Sequence, residues 1–303
     1  MPGEEKPLQS DRAADAPPLS DRAAGAVPSL DRGDRYLPLP SHTTAPPAPT
    51  WRSPAITVLL TVVLVGGYLL LQTAVGLVAL IPALIDELTV GLVASDGEPR
   101  AVPSPDRLVG LVWEHAGVTA WFGIAGATPP ALAALWWLAR RQGPGPVRRR
   151  LALVWPRRRD ALAWLLAVLA FGWLYEKIVV RLDRPPLPPV MEQIFRTAGW
   201  LPALVIAVVV LAPAVEELAF RGFCLGGLAP SGAAWAIGLS SALFAVIHVQ
   251  YDLFDIGAVL VLGLLFGAAR WQSGSTLLTF GLHAFHNALA SAQALWVVGE
   301  ATP

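Results

Sequence analysis

Long stretches of this chain carry no charge, and that limits the fold before any motif is read. Residues 55–81, 119–138 and 201–212 pass without one charged side chain. Nearly clean apolar runs cover 161–180, 233–249, 256–269 and 276–298. A bilayer core about 30 Å thick is crossed by about 20 apolar residues in a helix. Only helices and closed barrels satisfy their own backbone groups in lipid. The chain therefore reads as all-α, a polytopic transmembrane helical bundle of about seven spans. Composition agrees, with 54% hydrophobic and 15% charged residues and a mean hydropathy of +0.54. Soluble domains carry about a quarter charged residues.

Residues 1–52 read differently. They are rich in Pro, Ala, Asp and Arg and repeat a short unit: Ser10-Asp-Arg-Ala-Ala, Ser20-Asp-Arg-Ala-Ala, then Ser29-Leu-Asp-Arg. Such a composition cannot bury a core, so a disordered tail is expected. It has no apolar signal-peptide core and is expected to stay attached. Residues 53–198 hold the N-terminal transmembrane helices and one strongly basic loop at 140–159. That loop contains Arg140, Arg141, Arg148, Arg149, Arg150, Arg157, Arg158 and Arg159. Basic loops remain in the cytoplasm, which predicts an integral membrane protein with its N-terminus inside; the membrane expected is that of a bacterial cell. The same arginines suit anionic lipid headgroups. Thr128-Pro129-Pro130 predicts a kink in the second span, and Glu176 and Lys177 are placed to pair or snorkel. The formal net charge is zero, so no nucleic-acid partner is implied. The single cysteine, Cys224, excludes an internal disulfide and a Cys-rich zinc site.

The apolar run at 201–212 ends in Pro213-Ala-Val-Glu216-Glu217-Leu-Ala-Phe-Arg221-Gly222. Ionisable groups at membrane depth are costly and face a protein interior or a wet cavity. On a helix Glu217 and Arg221 are four apart and share a face, so they are expected to pair. Glu216 points about 100° away and is left free to act.

Three of the five histidines, His248, His283 and His286, lie in the apolar runs that follow. The turn Ala229-Pro-Ser-Gly232 predicts a hairpin between the fourth and fifth spans. Position 232 is midway between 216 and 248, so Glu216 and His248 are expected level, each about 24 Å from the turn. Phe244 shares the face of His248 and would wall the pocket. In the last span His283 and Asn287 share a face; His286 is the alternative to His283 but breaks that pairing. A carboxylate and an imidazole can hold and deprotonate a water. A second imidazole and a carboxamide can donate to an oxyanion. Zinc held by Glu216, His248 and His283 is the other way to use these groups, although no His-Glu-x-x-His motif is present.

Glu216-Glu217-x-x-x-Arg221, Phe244-x-x-x-His248 and His283-x-x-x-Asn287, in this order, resemble the CPBP intramembrane proteases. That group includes the eukaryotic CAAX prenyl endopeptidase and the bacterial Abi-type immunity proteins. The resemblance covers the region 199–298 and not the long tail. It implies an intramembrane endopeptidase, glutamate- or metal-dependent, in which Glu216 and His248 activate water and His283 and Asn287 stabilise the oxyanion. The implied substrate is a peptide or membrane protein, prenylated or otherwise held at the bilayer. Two other classes fit the residues: a non-catalytic scaffold or bacteriocin-immunity protein, and a small proton-coupled transporter using Glu216. A transporter would show internal repeats of its spans, and none is visible.

Overall fold

The computed structural model describes residues 53–92, 103–142 and 145–300, all helix, turn or loop. The tail at 1–52 and residues 93–102 lie outside the described residues. Helix α1 (Pro54–Val78) starts on Ser53, whose Oγ accepts the Ile56 N–H at 3.2 Å, with Pro54 at the first position where its missing N–H costs nothing. The first apolar run is not one helix to Ile81. It breaks at residues 79–80 and restarts as α2 (Ile81–Leu92). The short amphipathic α3 (Pro105–Glu114) leads through His115 into α4 (Ala116–Arg141), which runs unbroken through Pro129 and Pro130.

Arg150, in the one-turn α5 (Val147–Arg150), reaches back to the end of α4. Its Nη1 donates to Ala139 O at 2.7 Å and Arg140 O at 3.2 Å. A cation at carbonyls left open by a helix C-terminus is favourable. Then follow α6 (Arg158–Arg181) and α7 (Pro189–Arg196). Glu176 and Lys177 near the end of α6 are exposed and make no ion pair with each other.

The fourth span is a composite. It consists of α8 (Leu201–Ile206), a π-helical segment (Ala207–Leu211), α9 (Ala212–Glu217), a second π segment (Leu218–Cys224) and α10 (Leu225–Leu228). The expected turn closes it at Gly232, whose φ of 94° suits a residue without Cβ. Helix α11 (Ala233–Val246) follows, then α12 (Leu253–Ser273) and α13 (Thr276–Glu300). The sixth span is thus longer than its apolar run at 256–269. It is capped at its start by Asp252, whose Oδ1 accepts the Asp255 N–H at 3.0 Å.

Among the described residues, five helical stretches are long and apolar enough to cross a membrane: Pro54–Val78, Ala116–Arg141, Arg158–Arg181, Leu201–Ser231 and Leu253–Ser273. Helix α11 is apolar but has only 14 residues. Helix α13 has 25 residues, but His283, His286, Asn287 and Gln293 keep it out of that group. Their outer faces are apolar: Leu59, Val63 and Leu70 of α1 are 60%, 62% and 75% exposed, as a lipid-facing surface requires.

The core that positions the site lies where α1 and α4 meet the composite span. Val65, Tyr68, Leu135, Val215, Phe220, Phe223 and Phe244 pack there. Small residues let helices approach closely in lipid. A Cβ on Gly123 would stand 2.3 Å from Gln72 O of α1, so α4 touches α1 backbone to backbone at that point. Gly172 of α6 has nothing within 4 Å of the same position. Gly123→Ala should therefore destabilise the protein by about 1–3 kcal/mol through overpacking. Gly172→Ala should be neutral or slightly stabilising. Thermal unfolding of both variants in detergent checks this.

Candidate active site

Both carboxylates sit in α9, between the two π segments. The Ala212 N–H bonds Ala207 O and the Leu225 N–H bonds Phe220 O, each five residues back. Such π turns are rare and gather at functional sites. Apolar periodicity does not reveal them, because apart from Glu216, Glu217 and Arg221 the residues around them are apolar or glycine on every face.

Glu217 and Arg221 are fully buried, each with 0% side-chain exposure. Arg221 Nη1 donates to Glu217 Oε1 at 3.2 Å and Nη2 donates to Gly263 O of α12 at 3.1 Å. The guanidinium carbon lies 4.3 Å from the Phe244 ring centre and 5.5 Å from that of Phe266. Gly263 leaves room for this: a Cβ there would stand 3.2 Å from Phe244 and 3.4 Å from Arg221 Nη2. The pairing of Glu217 with Arg221 matches the expectation.

Glu217 does more than pair. Its Oε1 also meets His283 Nδ1 at 2.9 Å. A carboxylate bound to a guanidinium can only accept, so the Nδ1 proton donates to it. The other ring nitrogen, Nε2, then lies 3.8 Å from Glu216 Oε2. Among the described residues the Glu216 side chain makes no hydrogen bond, and it keeps 15% exposure. The two adjacent carboxylates therefore meet opposite nitrogens of one imidazole, Glu217 in direct contact and Glu216 across a gap.

His248 is placed less simply than expected. Helix α11 stops at Val246, so His248 lies in the following turn, with its N–H on Ala245 O at 3.0 Å. Its Nδ1 bonds Phe244 O at 2.9 Å, and a carbonyl accepts, so Nε2 is left with the lone pair. No hydrogen bond or ion pair joins His248 to Glu216 or His283 among the described residues. Phe244 stands between the imidazoles, its ring centre 4.9 Å from that of His248 and 5.6 Å from that of His283. It walls the site as the spacing predicts. Tyr251 stacks on His248 with centroids 5.8 Å apart and planes 23° apart.

Asn287 Nδ2 donates to Val208 O in the first π segment at 2.8 Å. The His286 side chain, on the same helix, makes no hydrogen bond or ion pair among the described residues. Cys224 is buried. Among the described residues, no three His, Cys, Asp or Glu side chains gather closely enough to hold a metal ion. The set Glu216, His248 and His283 therefore does not fit a zinc site in this arrangement. Gly263, Phe266, Val208 and Tyr251 were not singled out from the sequence. Only Gly263, four residues before Gly267 on α12, left a small-residue signal there.

The turn that carries His248 is anchored from the side. Arg184 pairs with Asp252 and lies 3.6 Å from Asp255, while Tyr175 OH donates to Asp255 Oδ1 at 2.7 Å. The hydrogen bond from Arg184 holds the Asp252 carboxyl below the ordinary carboxylate range.

These features define a polytopic helical membrane protein with a buried acid–imidazole site. Residues 198–289 match the model of a family described as Rce1-like, type II CAAX prenyl endopeptidase. The matched segment, under a third of the chain, contains Glu216, Glu217, Arg221, Phe244, His248, His283 and Asn287. No curated protein and no solved structure matches the chain. That similarity, among apolar, membrane-length helices, supports an intramembrane endopeptidase.

Two outcomes follow. Removing one member of a buried ion pair leaves an uncompensated charge and costs about 3–5 kcal/mol. Glu217→Ala and Arg221→Ala should therefore each lower the melting temperature in detergent as well as activity. Unchanged melting in both would make the cluster purely catalytic. The second outcome concerns acid. A lowered carboxyl pKa contributes stability that is complete above the unfolded value, about 3.9, and is lost as pH falls through the folded value. Arg184→Gln should thus melt below the wild type at neutral pH, with the two curves converging in strong acid.

Proposed function

We propose that the chain is an intramembrane endopeptidase that cleaves a peptide bond of a membrane-associated substrate, with Glu216 as the base. The observation that carries this is the gap of 3.8 Å between Glu216 Oε2 and His283 Nε2. It is too long for a direct hydrogen bond and is where a bridging water is to be sought. Glu216 is the carboxylate with no other duty, while Glu217 is occupied by Arg221 and His283.

In this reading a water donates one hydrogen to Glu216 and the other to His248 Nε2. Its oxygen attacks the carbonyl carbon as Glu216 takes the proton. The oxyanion formed accepts from Asn287 Nδ2 and His283 Nε2. His283 can donate there only as the imidazolium, since its Nδ1 proton is committed to Glu217. Two carboxylates, one guanidinium and one imidazolium sum to zero charge, which suits a dry site. When the tetrahedral species collapses, the C–N bond breaks and the leaving amine takes the proton from Glu216.

The matched family's description names CAAX prenyl endopeptidases, so the proposed substrate class is a prenylated, CAAX-like or other bilayer-held peptide. We place the N-terminus in the cytoplasm of a bacterial cell. Arg140, Arg141, Arg148, Arg149, Arg158 and Arg159 are exposed and would then meet anionic headgroups of the inner leaflet.

The test uses purified protein in detergent and a library of membrane-anchored peptides. Glu216→Gln should abolish cleavage while melting stays at the wild-type value; full activity would remove Glu216 as base. Asn287→Ala should lower turnover by about 100- to 1000-fold with the Michaelis constant nearly unchanged. His286→Ala should be close to wild type. Activity lost on chelation and restored by stoichiometric zinc would replace this mechanism with a metal-dependent one.

A further inference from the structure

The hydrogen bond from Asn287 to Val208 has a cause in the sequence of the opposite helix. In the first π segment each backbone N–H bonds the carbonyl five residues back, as the Ala212 N–H does to Ala207 O. The next carbonyl in that register belongs to Val208, and its donor would be residue 213. Residue 213 is Pro213, buried and without an N–H. An unpaired carbonyl is not tolerated in a membrane interior. Asn287 Nδ2 fills the position from α13 at 2.8 Å.

This contact fixes more than a helix crossing. The carbonyl accepts only, so the amide of Asn287 must present its NH2 side, not its oxygen. One hydrogen goes to Val208 O, and the planar group then directs the second. We infer that Pro213 is a positioning residue: by leaving Val208 O open it captures one Asn287 hydrogen and aims the other at the developing oxyanion. This rests on the proposed role of Asn287 as an oxyanion donor. Pro213 also stands three residues before Glu216 in α9, so one residue sets the base on its own helix and the donor on another.

Pro213→Ala tests it, because alanine supplies the missing N–H and competes with Asn287 for Val208 O. Turnover on a membrane-anchored peptide should fall at least tenfold, without exceeding the ~100- to 1000-fold loss of deleting the donor. The Michaelis constant should stay near the wild-type value. Pro213→Ala with Asn287→Ala should be no slower than Asn287→Ala alone, since both act through one amide. Pro213→Ser restores the same N–H and serves if the alanine variant does not purify folded. If Asn287→Ala is slow and Pro213→Ala is as fast as wild type, Pro213 does not position the amide and the oxyanion role stands. If the two losses add in the double variant, the proline acts by another route and the inference fails. If Asn287→Ala is itself fully active, the oxyanion role falls and the inference with it.

Discussion

One oxygen atom organises the site. Glu217 Oε1 receives both Arg221 and His283, and so joins the composite fourth span to α13 at a fully buried point. Bringing a guanidinium and a carboxylate out of water is expensive, and their attraction repays that only when further polar contacts complete the set. Here Gly263 O takes a second arginine nitrogen and the rings of Phe244 and Phe266 face the cation, while Glu217 Oε2 and Arg221 Nε stay buried without a hydrogen bond among the described residues. The arrangement uses four elements to fix one imidazole. It also commits the Nδ1 proton of His283 to Glu217 and leaves Nε2 turned toward Glu216.

The same logic explains why the fourth span is not a regular helix. Two π segments enclose the six residues of α9 and alter the face on which Glu216, Glu217 and Arg221 emerge. Each π turn releases main-chain groups from the ordinary ladder. In lipid such groups must find partners within the protein, and Asn287 on α13 supplies one. Irregularity and tertiary contact are therefore coupled in this bundle. The span bends its hydrogen-bond register where neighbouring helices can make up the loss.

Much of this architecture was readable from the residues, for definable reasons. The apolar runs marked the helices, since lipid demands both length and apolarity. Glu217 and Arg221 were legible as a pair because helical spacing alone brings them together. The Glu217–His283 contact was not, since it spans 66 residues and depends on how α13 lies against the fourth span. The level placement of Glu216 and His248 assumed two straight, regular helices. That assumption fails at the π segments and again at Val246, where α11 ends before reaching His248. The break after Val78 and the full length of α12 were missed because apolarity does not mark helix ends. Asp252 at the start of α12 is the kind of residue that does.

Phe244 also has a consequence for how charge moves. Its ring lies against both imidazoles and is itself 1% exposed. A phenyl ring has no lone pair and no acidic hydrogen, so it cannot relay a proton. The two histidines are thus insulated from each other on that side, although both touch one residue. Any proton that leaves one imidazole for the other must go round the ring, through water or through a bound peptide. The aromatic wall divides a small site into two separately addressed compartments, and whatever enters between them becomes the wire.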